Sequence, residues 1–505
     1  MERVRANVKR QALYCDMLGS ARWVGELAQR YPAREITPLT PWFANISIHD
    51  VEITGCSTLV DVSALPEKPV KNFFFGNVKA HCDRIGKICD ATKFSMKDVR
   101  IESCDTVMRI DNCDYASFFG FSNVTTGSSV KIEKTGGECR YLNVQTYPLV
   151  PVNYQSIRPG EVWLDTEGKP IQAHGFQVTF REGKYYWYGE DKTHTLFGTN
   201  RMFGGVRCYS STDFYNWKDE GRIIEPATDP HSPLHHCQKL ERPHILYCAK
   251  TGRYVCWLKS QSNDGHFVIL EAEHFMGPYH FVRNLKPNGF AVGDFDMYAD
   301  PDTGKGYVWF ERPHWEQICA ELSDDYTNVN GRYSEHFVGK VPPFTREAAA
   351  HFVMDGKHYI YTSGTTSYTP NPSEVAVFDD YHGEYTVLGN PHIGDEYAHS
   401  FCSQITSVIK IPGKDLYVAM ADRWLPHTNK TDIPKKDWQS FLTRYKDHRP
   451  YPKDFATPKV ADRFYTLVNP NQDVYKATYV FLPIVVKDGI PMIEWKDEWK
   501  LENYE

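Results

Sequence analysis

From about residue 160 onward, apolar and polar residues alternate in short runs, a period of two that predicts strands rather than helices. The clearest case is Arg346–Gly364, where EAAAHFVM and HYIYTS flank an Asp355-Gly356-Lys357 turn. The same turn and aromatic strand recur at Gly183-Lys184-Tyr185-Tyr186, Gly252-Arg253-Tyr254-Val255, Gly304-Lys305-Gly306-Tyr307 and Gly413-Lys414-Asp415-Leu416-Tyr417. The turn glycines lie 69, 52, 52 and 57 residues apart. Five hairpin repeats of this length predict an all-β domain, a five-bladed β-propeller over residues 160–505. Residues 425–465 are charged and Pro-rich without the repeat mark, and read as a long insertion. The strands at 479–495 are expected to complete a blade at the other end of the domain and so close the ring.

A different rhythm precedes the propeller. After a mixed stretch with one helix expected around Leu18–Tyr31, the runs FANISI, FFFGNV, FSMKDV, FSNVTT and YLNVQT carry Asn45, Asn77, Asp98, Asn123 and Asn143. Steps of 20 to 32 residues between these markers suggest coils of a short parallel β-helix, with Asn side chains stacking along it. Over roughly residues 40–150 the coils resemble the pectinase-type right-handed β-helices of glycoside hydrolase family 28. That family's paired Asp, Gly-His-Gly and Arg-Ile-Lys motifs are absent here, so residues 1–150 read as a non-catalytic accessory domain, with a linker at Pro148–Pro159.

Composition narrows the function classes. The 505 residues carry a net charge of −7 without a basic block, which argues against nucleic acid as partner. No apolar run reaches membrane-spanning length. The first 20 residues lack the apolar core of a secretory signal, so a cytoplasmic protein is expected unless a leader has been removed. Thirteen cysteines without a Cys-x-x-Cys pair read as buried free thiols.

The repeat also aligns the chemistry. Counting back 8 to 11 residues from each turn glycine gives His174, Glu241, Asp296, Glu347 and Gln404. Inner strands of a propeller begin around one channel, so these side chains should converge, and clustered carboxylates raise one another's pKa. Glu190, Arg242, Glu311, Thr366 and Trp424 fall where a pocket wall would bind substrate. Arg242 either touches sugar or pairs with the carboxylates. Trp187, Trp309 and Trp424 either stack on sugar faces or fill cores. His235, His236 and His399 invite a metal reading, although no Asp-rich calcium loop is present.

The runs AHGFQVTFREGKYYWYGED, SSTDFYNWKDEG, ERPHILYCAKTGRYVCW, DFDMYADPDTGKGYVWF, REAAAHFVMDGKHYIYTSGTT and SQITSVIKIPGKDLYVAMADRW occur in the order seen in glycoside hydrolase family 43. Over residues 160–425 the chain resembles that family, and within it the exo-β-1,3-galactanase branch, where Glu-Arg-Pro opens the second blade and a glutamine stands in the fifth. The resemblance implies an exo-acting, inverting hydrolase that releases galactose or arabinose from galactan- or arabinogalactan-type polysaccharide. An α-L-arabinofuranosidase or β-D-galactofuranosidase on the same scaffold, and a non-catalytic carbohydrate-binding propeller, are the alternatives. By motif Glu347 matches the general acid and Asp296 the carboxylate that raises its pKa. The aspartate base of most members is missing from Gln172-Ala173-His174-Gly175. Glu241 and Gln404 match the positions that handle the water, leaving two candidates for the base. No cofactor is implied beyond a structural calcium, which related propellers sometimes hold.

Overall fold

The computed structural model describes residues 2–140, 142–145, 151–193, 195, 202–261, 265–340, 344–366, 368, 370–424 and 474–505. The 425–465 stretch read as an insertion lies outside them. The chain divides into two compact units, Met1–Pro151 with Glu167–Lys169, and Val152–Thr166 with Pro170–Glu505.

The first unit is a β-solenoid. Ala44–Ser63, Val70–Glu102, Val107–Asp114 and Lys131–Gly136 pair in parallel, Val51 with Val78, Gly86 with Met108 and Val107 with Lys131. Each coil therefore takes 22 to 27 residues, and the apolar side chains of successive coils, Val60, Ile85 and Ile110 among them, stack in one enclosed core. The recurring Asn has two causes. Asn45, Asp50, Asn72 and Asn77 turn corners at φ of 47–58°, which short polar side chains tolerate. Their side chains then bond coil to coil, Asn72 donating to Asn45 at 2.8 Å and Asn77 to Asp50 at 2.5 Å. The single Asn series of the sequence thus merges two corner rows, and Asn123 instead donates to the carbonyls of Ser103 and Asp105. The expected helix is one short turn, Ala21–Val24, continued as a 3-10 turn, Gly25–Ala28, with no buried residue to hold it longer.

The second unit is a five-bladed propeller. Four blades are antiparallel four-stranded sheets, with inner strands at His174–Arg181, Leu240–Cys248, Phe295–Ala299 and Arg346–Met354. The fifth starts at Gln404–Lys410 and has five strands. Each hairpin turns at its predicted glycine, Gly183, Gly252, Gly304, Gly356 and Gly413, all at φ of 67–79° with open space around them. Glycine is required there for the left-handed backbone.

Ring closure departs from expectation. Thr478–Lys487 and Ile490–Glu494 complete the fifth blade itself, and the first blade is built from consecutive strands alone. Side chains join the two blades instead. The Tyr479 hydroxyl accepts from Ala173 N–H and donates to the Ile171 carbonyl, both at 3.0 Å. Trp163, Phe176, Trp187, Trp217, Tyr479 and Phe481 form one enclosed aromatic cluster between these blades, and Trp499 bridges to Ile157.

Candidate active site

In four blades the register slips just after the predicted residue, between His174 and Gln177, Glu241 and His244, Glu347 and Ala350, and Ile405 and Ser407. Arg242 and Ala348 take φ of 51° there. Such bulges bend a strand and re-aim its side chains, here at one end of each inner strand. The residues opposite on the second strands set the depth of this layer: His174 faces Glu190, Glu241 faces Lys259, Glu347 faces Ser363, and Gln404 faces Asp422.

In the third blade the corresponding second-strand residue is Glu311, and the residue beside it is Asp294, whose carbonyl accepts the Glu311 N–H at 3.0 Å. Asp296 stands deeper. Its carboxylate accepts from the backbone of His351 at 2.6 Å and of Met297 at 2.8 Å, and lies 3.0 Å from His244 Nε2. It pins the inner strands of neighbouring blades together. Counting back eight residues from Gly304 stops at Asp296, two rungs short of Asp294, because four loop residues, Asp300–Thr303, stand between the strand and that glycine.

One ionic network runs through the layer. Lys259 Nζ bridges Glu241 at 2.7 Å and Asp294 at 2.6 Å. Arg242 Nε pairs with Asp294 at 2.8 Å, its Nη2 donates to Gln404 Oε1 at 2.9 Å, and its backbone N–H donates to Glu190 at 3.0 Å. Gln404 Nε2 donates to Ser363 at 3.0 Å and to Glu347 at 3.3 Å, while Trp424 Nε1 donates to Gln404 Oε1 at 3.3 Å. Lys192 pairs with Glu190 and lies 5.6 Å over the Trp424 ring. Asp294, Glu347, Gln404 and Trp424 are half-buried and form the edge a ligand would meet, with the other charges buried behind them. Arg242 Nη1, also buried, has no hydrogen-bond partner among the described residues.

Electrostatics divide the carboxylates into two classes. Burial raises the Glu347 carboxyl well above its ordinary range, and the neighbouring Glu311 and Asp294 raise it further. Burial also pushes Glu311 up to about 8, helped by Asp294 and opposed by the His314 N–H. Burial would raise Glu241 as well, but the ammonium groups of Lys259, Lys239 and Lys192 overcome it and hold this carboxyl far below the usual range. Arg242 and Lys259 do the same for Asp294. The layer therefore combines protonated Glu347 and Glu311 with ionised Glu241 and Asp294 at neutral pH.

Several predicted residues lie elsewhere. His174 has no exposed surface: its Nδ1 faces Asp422 at 2.9 Å and its Nε2 the Tyr479 hydroxyl at 3.3 Å. It joins the first and last blades rather than facing the pocket. Trp187 and Trp309 are core residues with no exposed surface, whereas Trp424 lines the pocket with Gln404, Ser363, Tyr368 and Asn371. Thr366 accepts from Asn371 at 2.7 Å, beside that wall. The sequence reading missed Asp294, Lys259 and Lys192. Counting forward from each turn glycine to the second strand would have found Lys259 and Glu311, and Asp294 beside the latter.

Among the described residues, one group could hold a metal ion: His235, His236 and Cys237. Nitrogen and sulfur donors suit a zinc-like cation rather than calcium, which takes oxygen. His399 belongs to a separate loop, against Asp395.

The comparisons agree with this geometry. Residues 176–408 match the model of glycosyl hydrolases family 43. Two solved β-1,3-galactosidases of that family are each 27% identical. The first covers 70% of this chain and 65% of its own, at a TM-score of 0.56. The second, solved with galactodeoxynojirimycin, covers 68% of this chain and 100% of its own, at 0.55. An exo-β-1,3-galactanase from Clostridium thermocellum, 24% identical over 68% of this chain and 66% of its own, shares the fold at 0.52. This chain thus spans slightly less than two thirds of the first and third of these proteins. No curated protein matches the sequence. Residues 176–408, within the propeller, are thus similar to the glycosyl hydrolases of family 43, on a chain whose first unit is a β-solenoid.

Proposed function

We propose that the propeller is an exo-acting, inverting hydrolase of β-galactosidic linkages in galactan- or arabinogalactan-type oligosaccharides. The observation that carries this reading is Glu347, a half-buried carboxyl whose proton is retained by burial and by Glu311 and Asp294. An acid of this kind protonates the leaving glycosidic oxygen at neutral pH. The 27% identical β-1,3-galactosidases support galactose as the sugar. Arg242 Nη1, buried without a partner among the described residues, is a donor ready for a sugar hydroxyl.

The water falls to Gln404 and Glu241. Gln404 orients it, with its own amide fixed by Arg242, Trp424, Ser363 and Glu347. Glu241 takes its proton. This carboxylate is a weak base because its lysines stabilise the anion, but a water bonding to an oxocarbenium-like carbon becomes strongly acidic as attack proceeds. Asp294 keeps Glu347 protonated by its charge and stays ionised itself.

The experiment is a screen of β-1,3-galactan, aryl β-galactopyranoside, aryl β-galactofuranoside and aryl α-L-arabinofuranoside, with product anomers followed by NMR. Release of α-galactose first, from the β-galactopyranosides, is the expected result. β-Galactose first would sink inversion, and preference for a furanoside would replace the sugar. One observation favours a second reading: the first inner strand supplies only the sealed His174 where most members have a base. Binding of galactan without release of sugar from any substrate would establish that reading, a carbohydrate-binding propeller.

A further inference from the structure

The first blade ends at Ile224 and the second begins at Leu240, and the segment between them carries His235, His236 and Cys237 in succession. In an extended chain these side chains would alternate, putting His236 on the face opposite its neighbours. A turn prevents that. The His235 N–H donates to the Ser232 carbonyl at 3.1 Å, and the Gln238 N–H to the His235 carbonyl at 2.8 Å. The His236 carbonyl accepts the N–H groups of Met202 and Phe203, both at 3.0 Å, so the backbone is tied down at both histidines. One ligand atom from each of the three side chains comes within 4.8 Å of the other two. The imidazole centroids stand 4.0 Å apart, with the rings inclined at 42°. His235 is buried, His236 half-buried and Cys237 exposed. The Cys237 N–H faces His235 Nδ1 at 3.4 Å. A ring nitrogen that accepts a hydrogen bond carries no proton, which is also the state that ligates a metal.

We propose that His235, His236 and Cys237 bind a zinc-class divalent cation at the entry to the second blade, leaving its fourth position to water. Zinc takes nitrogen at about 2.0–2.1 Å and thiolate at about 2.3 Å, so its tetrahedral ligand atoms lie about 3.4–3.6 Å apart. Atoms already within 4.8 Å are about 1 Å short of that spacing, a gap that side-chain rotation closes without moving the backbone. The thiolate is the ligand, so the ion takes the place of the Cys237 proton. Two imidazoles and a sulfur, with no carboxylate among them, disfavour calcium and magnesium and suit zinc or cobalt. The turn leads directly to Lys239, which pairs with Glu241 at 3.3 Å, so the ion clasps the segment that delivers this lysine. The site stands whether or not the propeller cleaves galactosides.

The test titrates the whole chain, stripped of metal by a chelator, with zinc chloride and with cobalt chloride. One equivalent of zinc should bind with a Kd below about 1 µM. Cobalt should give a thiolate charge-transfer band in the near ultraviolet that Cys237→Ser lacks. His235→Gln, His236→Gln and Cys237→Ser should each weaken zinc binding by about 100-fold or more. Cys104→Ser, a change at another exposed thiol, should leave it as it was. Weaker binding by the unaltered chain, or tight binding that survives all three changes, overturns the proposal. A second measurement needs no variant. One equivalent of zinc should slow iodoacetamide alkylation of Cys237 by about tenfold or more while Cys104 keeps its rate, both followed by peptide mass spectrometry. Equal Cys237 rates with and without zinc would likewise refute the site.

Discussion

Two aspartates of the third blade, Asp294 and Asp296, stand two residues apart and do different work. Asp294 lies against Arg242 and Lys259 and bears on Glu347, so Asp294→Asn removes an anion that keeps the acid protonated. The alkaline limb of kcat/KM should move to lower pH. Asp296→Asn should leave that limb in place and instead cost about 1–3 kcal/mol of stability, since it weakens a buried acceptor of two backbone N–H groups. Glu347→Gln should lower turnover by about 10²–10⁴-fold on poor leaving groups and by less on aryl substrates with acidic phenols. Equal losses on both would make Glu347 structural. Glu241→Gln should abolish turnover whatever the leaving group, with azide restoring some rate as a glycosyl azide of inverted configuration. Near-normal turnover would remove Glu241 from the mechanism. Glu311 carries a stability consequence of definite sign. Its carboxyl titrates near 8 in the fold and near 4.3 when unfolded. Its contribution is therefore fully present below about 4.3 and is lost as pH rises through 8. Glu311→Gln should flatten the fall in urea midpoint between pH 6 and 9.

At the scale of elements, the bulges decide which residues reach the site. A bulge adds a residue without lengthening the strand, and it follows His174, Glu241, Glu347 and Gln404 but is missing from the third blade. The count from turn glycine to layer therefore varies between blades, nine residues to His174, Glu347 and Gln404, ten to Asp294 and eleven to Glu241, and spacing alone does not mark the layer. Pairing with the second strand is the safer measure, because backbone hydrogen bonds fix depth directly. The closing elements carry a prediction of their own. Tyr479→Phe leaves the Ala173 N–H and the Ile171 carbonyl unpaired in a buried seam, which should cost about 1–3 kcal/mol in urea denaturation. A smaller loss would mean that the aromatic cluster alone closes the ring.

For the whole molecule, the enclosed apolar clusters separate cleanly. One is drawn from residues 4–142, and the others from residue 154 onward. A chain of residues 152–505 is therefore expected to fold and to keep the proposed hydrolytic activity, measured on the same galactoside screen. Loss of folding on removal of the solenoid would show that the propeller depends on it.

What the sequence by itself determined is the periodic part of this protein: five hairpins marked by turn glycines, a solenoid marked by left-handed Asn corners, and the residues Glu347, Glu241 and Gln404. Those features arise from local rules, a left-handed turn or an alternating strand, that each repeat states independently. Tertiary structure alone decided the rest. Asp294 rather than Asp296 bears on the acid because it pairs beside Glu311 at the end of its strand, while Asp296 falls two rungs deeper. His174 is sealed because Asp422 and Tyr479, some 250 and 305 positions away, close the ring on it. Glu241 and Glu347 look alike in sequence, yet one is ionised by three lysines and the other keeps its proton beside two carboxyls. Charge state is set by neighbours brought together from different blades, and no local pattern records which neighbours those will be.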